Sequence, residues 1–157
     1  MRTIRLLKAI LLKATLALGS VGLLCGPALA DNCNGRYTNV TVSSEVLEVA
    51  KGHTVTFFVT RTSTTSDNSP FNAVGECGGY FLTMPDGKVR ASGICTRKGN
   101  NGDSESDVFS LEPGAERGVW KLVAGTGAFA GKNDSGWWQG LVDDGKANTG
   151  TWGGTCH

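Results

Sequence analysis

Trp120-Lys121-Leu122-Val123-Ala124-Gly125-Thr126-Gly127-Ala128-Phe129-Ala130-Gly131 reads as a strand of alternating character, then a Gly-Thr-Gly turn, a lone aromatic and a further glycine. The strand is predicted over Gly118 to Ala124 and stops where glycine frees the backbone to turn. Working outward from it, β-like stretches fall at Arg36 to Leu47, His53 to Thr64, Phe71 to Met84, Lys88 to Arg97, Glu105 to Leu111, Gly136 to Asp143 and Lys146 to Thr155. Turn-rich strings separate them: Ala50-Lys51-Gly52, the long polar Thr62 to Pro70, Lys98 to Asp103, Glu112-Pro113-Gly114 and Asp144-Gly145. No heptad or internal repeat interrupts this all-β pattern, and the 23 glycines suit frequent turns.

The first thirty residues read as an export signal of bacterial type. Arg2, Arg5, Lys8 and Lys13 precede or punctuate an apolar stretch, and Ala28-Leu29-Ala30 is a small-x-small cleavage site. The apolar run is shorter than the ~20 residues a bilayer span needs, so no integral membrane span is expected. Lipoprotein processing at Cys25 is disfavoured by bulky Leu24 before it. Cleavage after Ala30 leaves 127 of the 157 residues, 31–157, enough for one domain. The leader carries four of the fifteen cations and none of the fourteen anions, so the remainder is at −3, which argues against nucleic acid as a partner. A secreted or periplasmic location is expected. There the sequons Asn39-Val40-Thr41 and Asn133-Asp134-Ser135 would go unused.

Four cysteines follow the leader: Cys33, Cys77, Cys95 and Cys156. In an exported chain an even count points to two disulfides, with three connectivities open. Pro85-Asp86-Gly87 makes a good three-residue hairpin loop, with Pro setting the first turn position and Gly taking the left-handed one. Counting outward from it, Met84 faces Lys88, Thr83 faces Val89, and Cys77 lands opposite Cys95. Opposed residues of an antiparallel ladder are roughly 4.5–5.5 Å apart at Cα, within disulfide range. Cys33 and Cys156 then pair near the two chain ends, closing a loop worth up to ~5 kcal/mol. A tetrathiolate zinc site would need short Cys-x-x-Cys spacing, which is missing, so neither metal nor cofactor is expected.

Closing the sheet on itself removes its exposed edges and brings the first and last strands together, where Cys33 and Cys156 would meet. An eight-stranded antiparallel β-barrel is therefore predicted, with a β-sandwich as the alternative. If Asp144-Gly145 is a two-residue turn, Asp143 faces Lys146 and Trp137 faces Trp152, while Trp138 points to the tighter inner side.

The Gly125-Thr126-Gly127 turn with Phe129 resembles the turn signature of plant dirigent proteins and allene oxide cyclases. It is more similar still to that of secreted bacterial proteins related to them. Ser69-Pro70-Phe71-Asn72, the Cys77–Cys95 hairpin and Asn101-Gly102-Asp103 extend the resemblance over residues 69–136. It implies an eight-stranded antiparallel barrel with an apolar cavity. It carries no mechanism, because only fold residues match. Gly-x-Trp at 118–120 and 150–152 is similar to a lipocalin motif, but that motif belongs near a lipocalin's start.

Candidate ligand-binding residues are Trp120, Trp137, Trp138 and Trp152, which can stack on a flat ligand at a barrel mouth or simply fill the core, together with Phe129 and Glu76. Glu76, if inward, is a carboxylate placed for proton transfer; His53 is the interior histidine but reads as a strand-start residue. Asp103, Glu105 and Asp107 share one strand face and offer oxygens to a hard cation, but a solvated acidic face is the expected reading. No nucleophile elbow accompanies these groups, so no catalytic residue is assigned. A small-molecule-binding barrel that does not transform its apolar or aromatic ligand is the functional expectation. The alternatives are a cyclase or isomerase using Glu76 or His53, and a structural or interaction protein of the cell envelope using strand edges or the Thr62–Pro70 loop.

Overall fold

The computed structural model describes residues 32–66 and 71–157. The leader, its cleavage site and Cys25 lie outside the described residues, as do residues 67–70 of the predicted polar loop. Among the described residues there are eight strands: β1 (Cys33–Ala50), β2 (His53–Ser66), β3 (Ala73–Thr83), β4 (Val89–Gly99), β5 (Ser104–Leu111), β6 (Gly118–Gly125), β7 (Ser135–Asp143) and β8 (Ala147–Thr155). Each pairs antiparallel with the next, and β1 pairs with β8 from Cys33↔Gly154 to Val40↔Ala147. The sheet is a closed barrel, so the sandwich alternative is set aside. Strand β2 runs further than predicted, through Thr64 into Ser66.

Both disulfides form as the hairpin count requires, Cys77–Cys95 and Cys33–Cys156. The Pro85-Asp86-Gly87 loop sets Thr83↔Val89 and Cys77↔Cys95 in register, and Met84 N donates to the Lys88 carbonyl at 2.9 Å. Two disulfides fit a chain that matures in an oxidising compartment. No helix among the described residues is long and apolar enough to cross a membrane.

One predicted register is wrong. Asp143 pairs with Asn148, not Lys146, because the Asp144 carboxylate accepts from the Lys146 and Ala147 amides and holds a longer loop. A bulge between Gly140 and Val142 then takes back one residue of that shift, leaving the ladder beyond it one residue from the predicted register. Trp138 therefore faces Trp152, while Trp137 faces Gly153. Because side chains alternate sides, the shift changes which tryptophans meet, yet Trp138 remains inside as predicted.

The two ends of the barrel differ. One end gathers the segments around Cys33 and Cys156 and the turn after β6. There Cys33, Phe71, Leu122, Phe129 and Trp152 form the buried cluster. Gly127 takes φ 55°, a left-handed conformation suited to glycine, and opens a 3-10 turn, Gly127–Phe129. The Asp103 carboxylate accepts from the Ala128 amide at 2.9 Å, and Thr126 Oγ1 accepts from the Ser104 amide at 2.9 Å. That clamp drives Phe129 inward, to 1 % exposure, edge-on to Phe71. Asn32 bonds both the amide and the carbonyl of Cys156 at 2.6 Å, reinforcing the terminal disulfide. At the opposite end the hairpins turn in solvent; Thr41 N still donates to the Lys146 carbonyl at 2.8 Å, and from Ser43 onward the β1 ladder is with β2.

Candidate functional site

A cavity of about 760 Å³ occupies the barrel. Its wall follows from strand parity. With Cys77 and Cys95 inward, every second residue along β3 and β4 is inward, and ladder pairing carries the same parity to the other strands. One inward row is Phe58, Gly79, Gly93, Phe109 and Trp120; the next is Thr60, Cys77, Cys95, Asp107 and Leu122; the one below is Thr62, Gly75, Arg97 and Glu105. The exposed lining residues Leu141, Val142, Asp143 and Gly145 lie at the hairpin end, so the cavity reaches solvent there. The Phe129 cluster closes the other end.

Aromatic rings make the upper wall. Phe58 stacks on Phe81 with centroids 4.7 Å apart and lies 6.3 Å from Phe109, which meets Trp138 edge-on at 6.1 Å. A Cβ at Gly93 would run into the Phe109 ring, so glycine at that site lets the ring lie flat along the wall. Trp120 meets Trp152 edge-on at 6.1 Å and donates its Nε1–H to the Gly153 carbonyl at 3.2 Å.

A charged group sits deeper. Arg97 Nε donates to Glu105 at 2.8 Å, and its guanidinium also bonds Asp107. Both carboxylates are buried, at 5 % and 3 % exposure. Burial pushes the Asp107 carboxyl up to about 6; Arg97 opposes the rise and Glu105 adds to it. Burial alone would lower the Arg97 guanidinium, but Asp107 and Glu105 reverse this and hold it above its ordinary value. On the β1–β2 wall, Thr60 Oγ1 and Asn39 Oδ1 are buried with no hydrogen-bond partner among the described residues, although Asn39 Nδ2 donates to Asn148 at 3.0 Å. The Tyr37 phenol, raised to about 12 by burial and the Asp143 charge, remains a donor throughout the working pH range.

The structure brings together three of the predicted residues, Trp120, Trp138 and Trp152, in the cavity wall. Trp137 is on the outer face, with the Arg117 guanidinium 4.2 Å above its ring, because it neighbours an inward residue. Phe129 is core beneath the cavity, drawn there by the Asp103 clamp. Glu76 is exposed and pairs across the outer surface with Arg61 and Thr96, since inward Cys77 forces its neighbour outward. His53 begins β2 at a hairpin tip, its Nδ1 3.2 Å from the Lys51 carbonyl and outside the wall. The expected solvated acidic face is also corrected: Glu105 and Asp107 are inside, paired with Arg97, and Asp103 is a turn clamp. Among the described residues no group of three or more acidic, His or Cys side chains is placed to hold a metal. Sequence reading missed Arg97, Phe58, Phe81 and Phe109, and put Glu105 and Asp107 on a solvated face. Cys77–Cys95 parity finds Phe81 and Arg97 on the same hairpin, and carrying it into β2 and through the Lys98–Asp103 turn into β5 finds the others.

This is the closed eight-stranded barrel of the dirigent type, with a cavity open at one end. Among solved structures, the pterocarpan synthase dirigent protein GePTS1 matches with a TM-score of 0.50 and 12% identity, over 77% of this chain and 83% of that one. At that identity the likeness establishes fold alone. No protein-family model and no curated protein matches the chain.

Proposed function

We propose that this is an exported binding protein that takes a small molecule with an apolar or aromatic body into the barrel and does not transform it. The observation that carries the reading is the cavity of about 760 Å³, walled by Phe58, Phe81, Phe109, Trp120 and Trp138 and open to solvent at the hairpin end. A wall of that size and composition suits a small ligand. The leader at residues 1–30 belongs to the same proposal: export delivers residues 31–157 as one domain and allows both disulfides to close.

The test is native mass spectrometry of the protein exported by its own leader, against the same sample denatured without reductant. A mass lost on denaturation supports a captured ligand and gives its mass. Equal masses, with no binding of an apolar fluorescent dye to the folded protein, sink the reading.

A second reading, a cyclase or isomerase confining a reactive intermediate, draws support from one observation. Asp107 is a buried carboxyl, raised to about 6, that faces an open cavity. Glu76 and His53 are outside that wall, so Asp107 takes their place as the proton-transfer group. If a molecule recovered from the barrel returns from fresh protein with mass and stereochemistry unchanged, this second reading fails.

A further inference from the structure

We infer that the cavity selects a cationic amphiphile: a protonated amine whose ammonium is held at Asp107 and whose apolar body lies against Phe58, Phe81 and Phe109. The inference rests on the binding reading above and narrows it to a ligand class.

Charge balance is the first support. The lower cavity wall holds one cation, Arg97, against two carboxylates, Glu105 and Asp107, and Asp143 adds a third anion at the rim. The guanidinium is already divided between both carboxylates, and Asp107 receives a hydrogen bond from it at one oxygen only. The second Asp107 oxygen has no hydrogen-bond donor among the described residues. A carboxylate or phosphate ligand entering here would meet surplus negative charge with no free cation to receive it. An ammonium restores balance and supplies the missing donors.

Independent support comes from the opposite wall. In an eight-stranded barrel β1–β2 and β5 face each other across the lumen. Thr60, 97 % buried, lines the cavity with an unpartnered hydroxyl oxygen, and Asn39 Oδ1 beside it is likewise unpartnered. Asn39 Oδ1 accepts hydrogen bonds and the Thr60 hydroxyl can accept as well as donate, so this wall also offers acceptors to a donor-bearing guest.

The aromatic row one step nearer the mouth completes the match. Phe58 and Phe109 lie in the ladder row directly above Thr60 and Asp107. Ring faces attract a cation and also accommodate its hydrocarbon part. The groups facing Asp107 that carry charge are Arg97 from β4 and Glu105 from its own strand. Cys77 and Cys95 are oxidised, Leu122 from β6 is apolar, and Thr60 does not titrate. Loss of the Asp107 charge on acidification therefore weakens capture of a cation.

The experiment is isothermal titration of the exported, oxidised protein with three probes sharing one phenylpropyl skeleton: 3-phenylpropylammonium, 3-phenyl-1-propanol and 3-phenylpropanoate. At about pH 7.5 the ammonium is expected to bind about tenfold or more tighter than the alcohol, with the carboxylate weakest. Asp107→Asn should bring the ammonium down to the alcohol's affinity. In the unaltered protein, moving to about pH 5 should weaken the ammonium and leave the alcohol unchanged, which keeps the test decisive if the variant fails to fold.

Equal or tighter binding of the alcohol or carboxylate overturns the cation inference while leaving a binding cavity in place. An ammonium preference that survives both Asp107→Asn and acidification overturns the assigned anchor. If all three probes and an apolar dye fail to bind, the binding reading falls and this inference with it.

Discussion

At the closed end of the barrel, Phe71 meets Phe129 edge-on and Trp152 at a tilt, and the three pack in the buried cluster that floors the cavity. In the upper half, Phe58 meets both Phe81 and Phe109, but these rings line a lumen rather than fill it. The same residue type serves two ends because what surrounds each ring differs. Below, a turn clamped by Asp103 and the disulfide-paired segments at Cys33 and Cys156 fold over the rings. Above, glycines such as Gly93 let them lie flat, and among the described residues the lumen stays open at the mouth. Stability is thus expected to concentrate at the closed end, and ligand specificity in the open half.

The two disulfides provide the strongest way to break that contrast. Cys33–Cys156 spans a sequence separation of 123 and staples the closed end, whereas Cys77–Cys95 spans 18 within one hairpin. Loop entropy assigns about 5 kcal/mol to the first and about 3 kcal/mol to the second. Replacing each pair by serine and measuring urea unfolding should reproduce this order. A larger loss from the Cys77 and Cys95 pair would show that the wall, not the terminal staple, dominates stability.

Aromatic truncation sharpens the same point. Phe129→Ala empties a filled core and should cost about 3–5 kcal/mol. Phe81→Ala enlarges a lumen that already exists and forfeits mainly its stacking with Phe58, about 1 kcal/mol. The ligand readout should reverse this order, with affinity falling for Phe81→Ala and holding for whatever Phe129→Ala protein remains folded. Equal stability losses would mean that the upper rings are core after all.

Much of this architecture is legible in the residues. Alternation, the Pro85-Asp86-Gly87 loop and the cysteine count lead to eight strands, closure and both disulfides, because these are local or counting constraints. The last hairpin is misread because one carboxylate, Asp144, collects two amides and lengthens the loop, and the bulge near Leu141 has no marker in the sequence. The site is harder. Acidic residues at every second position look like a solvated face unless the parity fixed by Cys77 and Cys95 is carried across the next turn, where Arg97 then pairs with Glu105. Whether a tryptophan fills or lines depends on curvature and on the turn that folds over it, neither of which periodicity encodes.

The charged floor of the cavity separates the halves electrostatically. Arg97→Gln leaves Glu105 and Asp107 without their shared cation in a buried setting, and about 3 kcal/mol of stability should be lost at neutral pH. The loss should shrink as the solution is acidified and the carboxyls take up protons. A loss independent of pH would show that Arg97 acts through packing rather than charge.

The smallest expected effect isolates Asp107. Its carboxyl is near 6 in the folded protein, above the ordinary value of 3.8, so the folded state binds this proton more readily than the unfolded chain. Ionised Asp107 therefore burdens the fold above about pH 6, and the burden lifts as pH falls through 6 and is gone below about 4. Asp144 works in the opposite sense at lower pH: the Ala147 and Lys146 amides hold its carboxyl below the usual range, so its contribution is present at neutral pH and is lost only on stronger acidification. Between those limits the two are separable. Asp107→Asn should raise the melting temperature at about pH 7.5 by a few degrees, on the order of 1 kcal/mol, and flatten the profile between about pH 6 and 4. Thermal scans across that window decide it. An unchanged slope in the variant would place the titration elsewhere, and a lower melting temperature at neutral pH would mean that the ionised carboxylate, held by Arg97, supports the barrel instead of straining it.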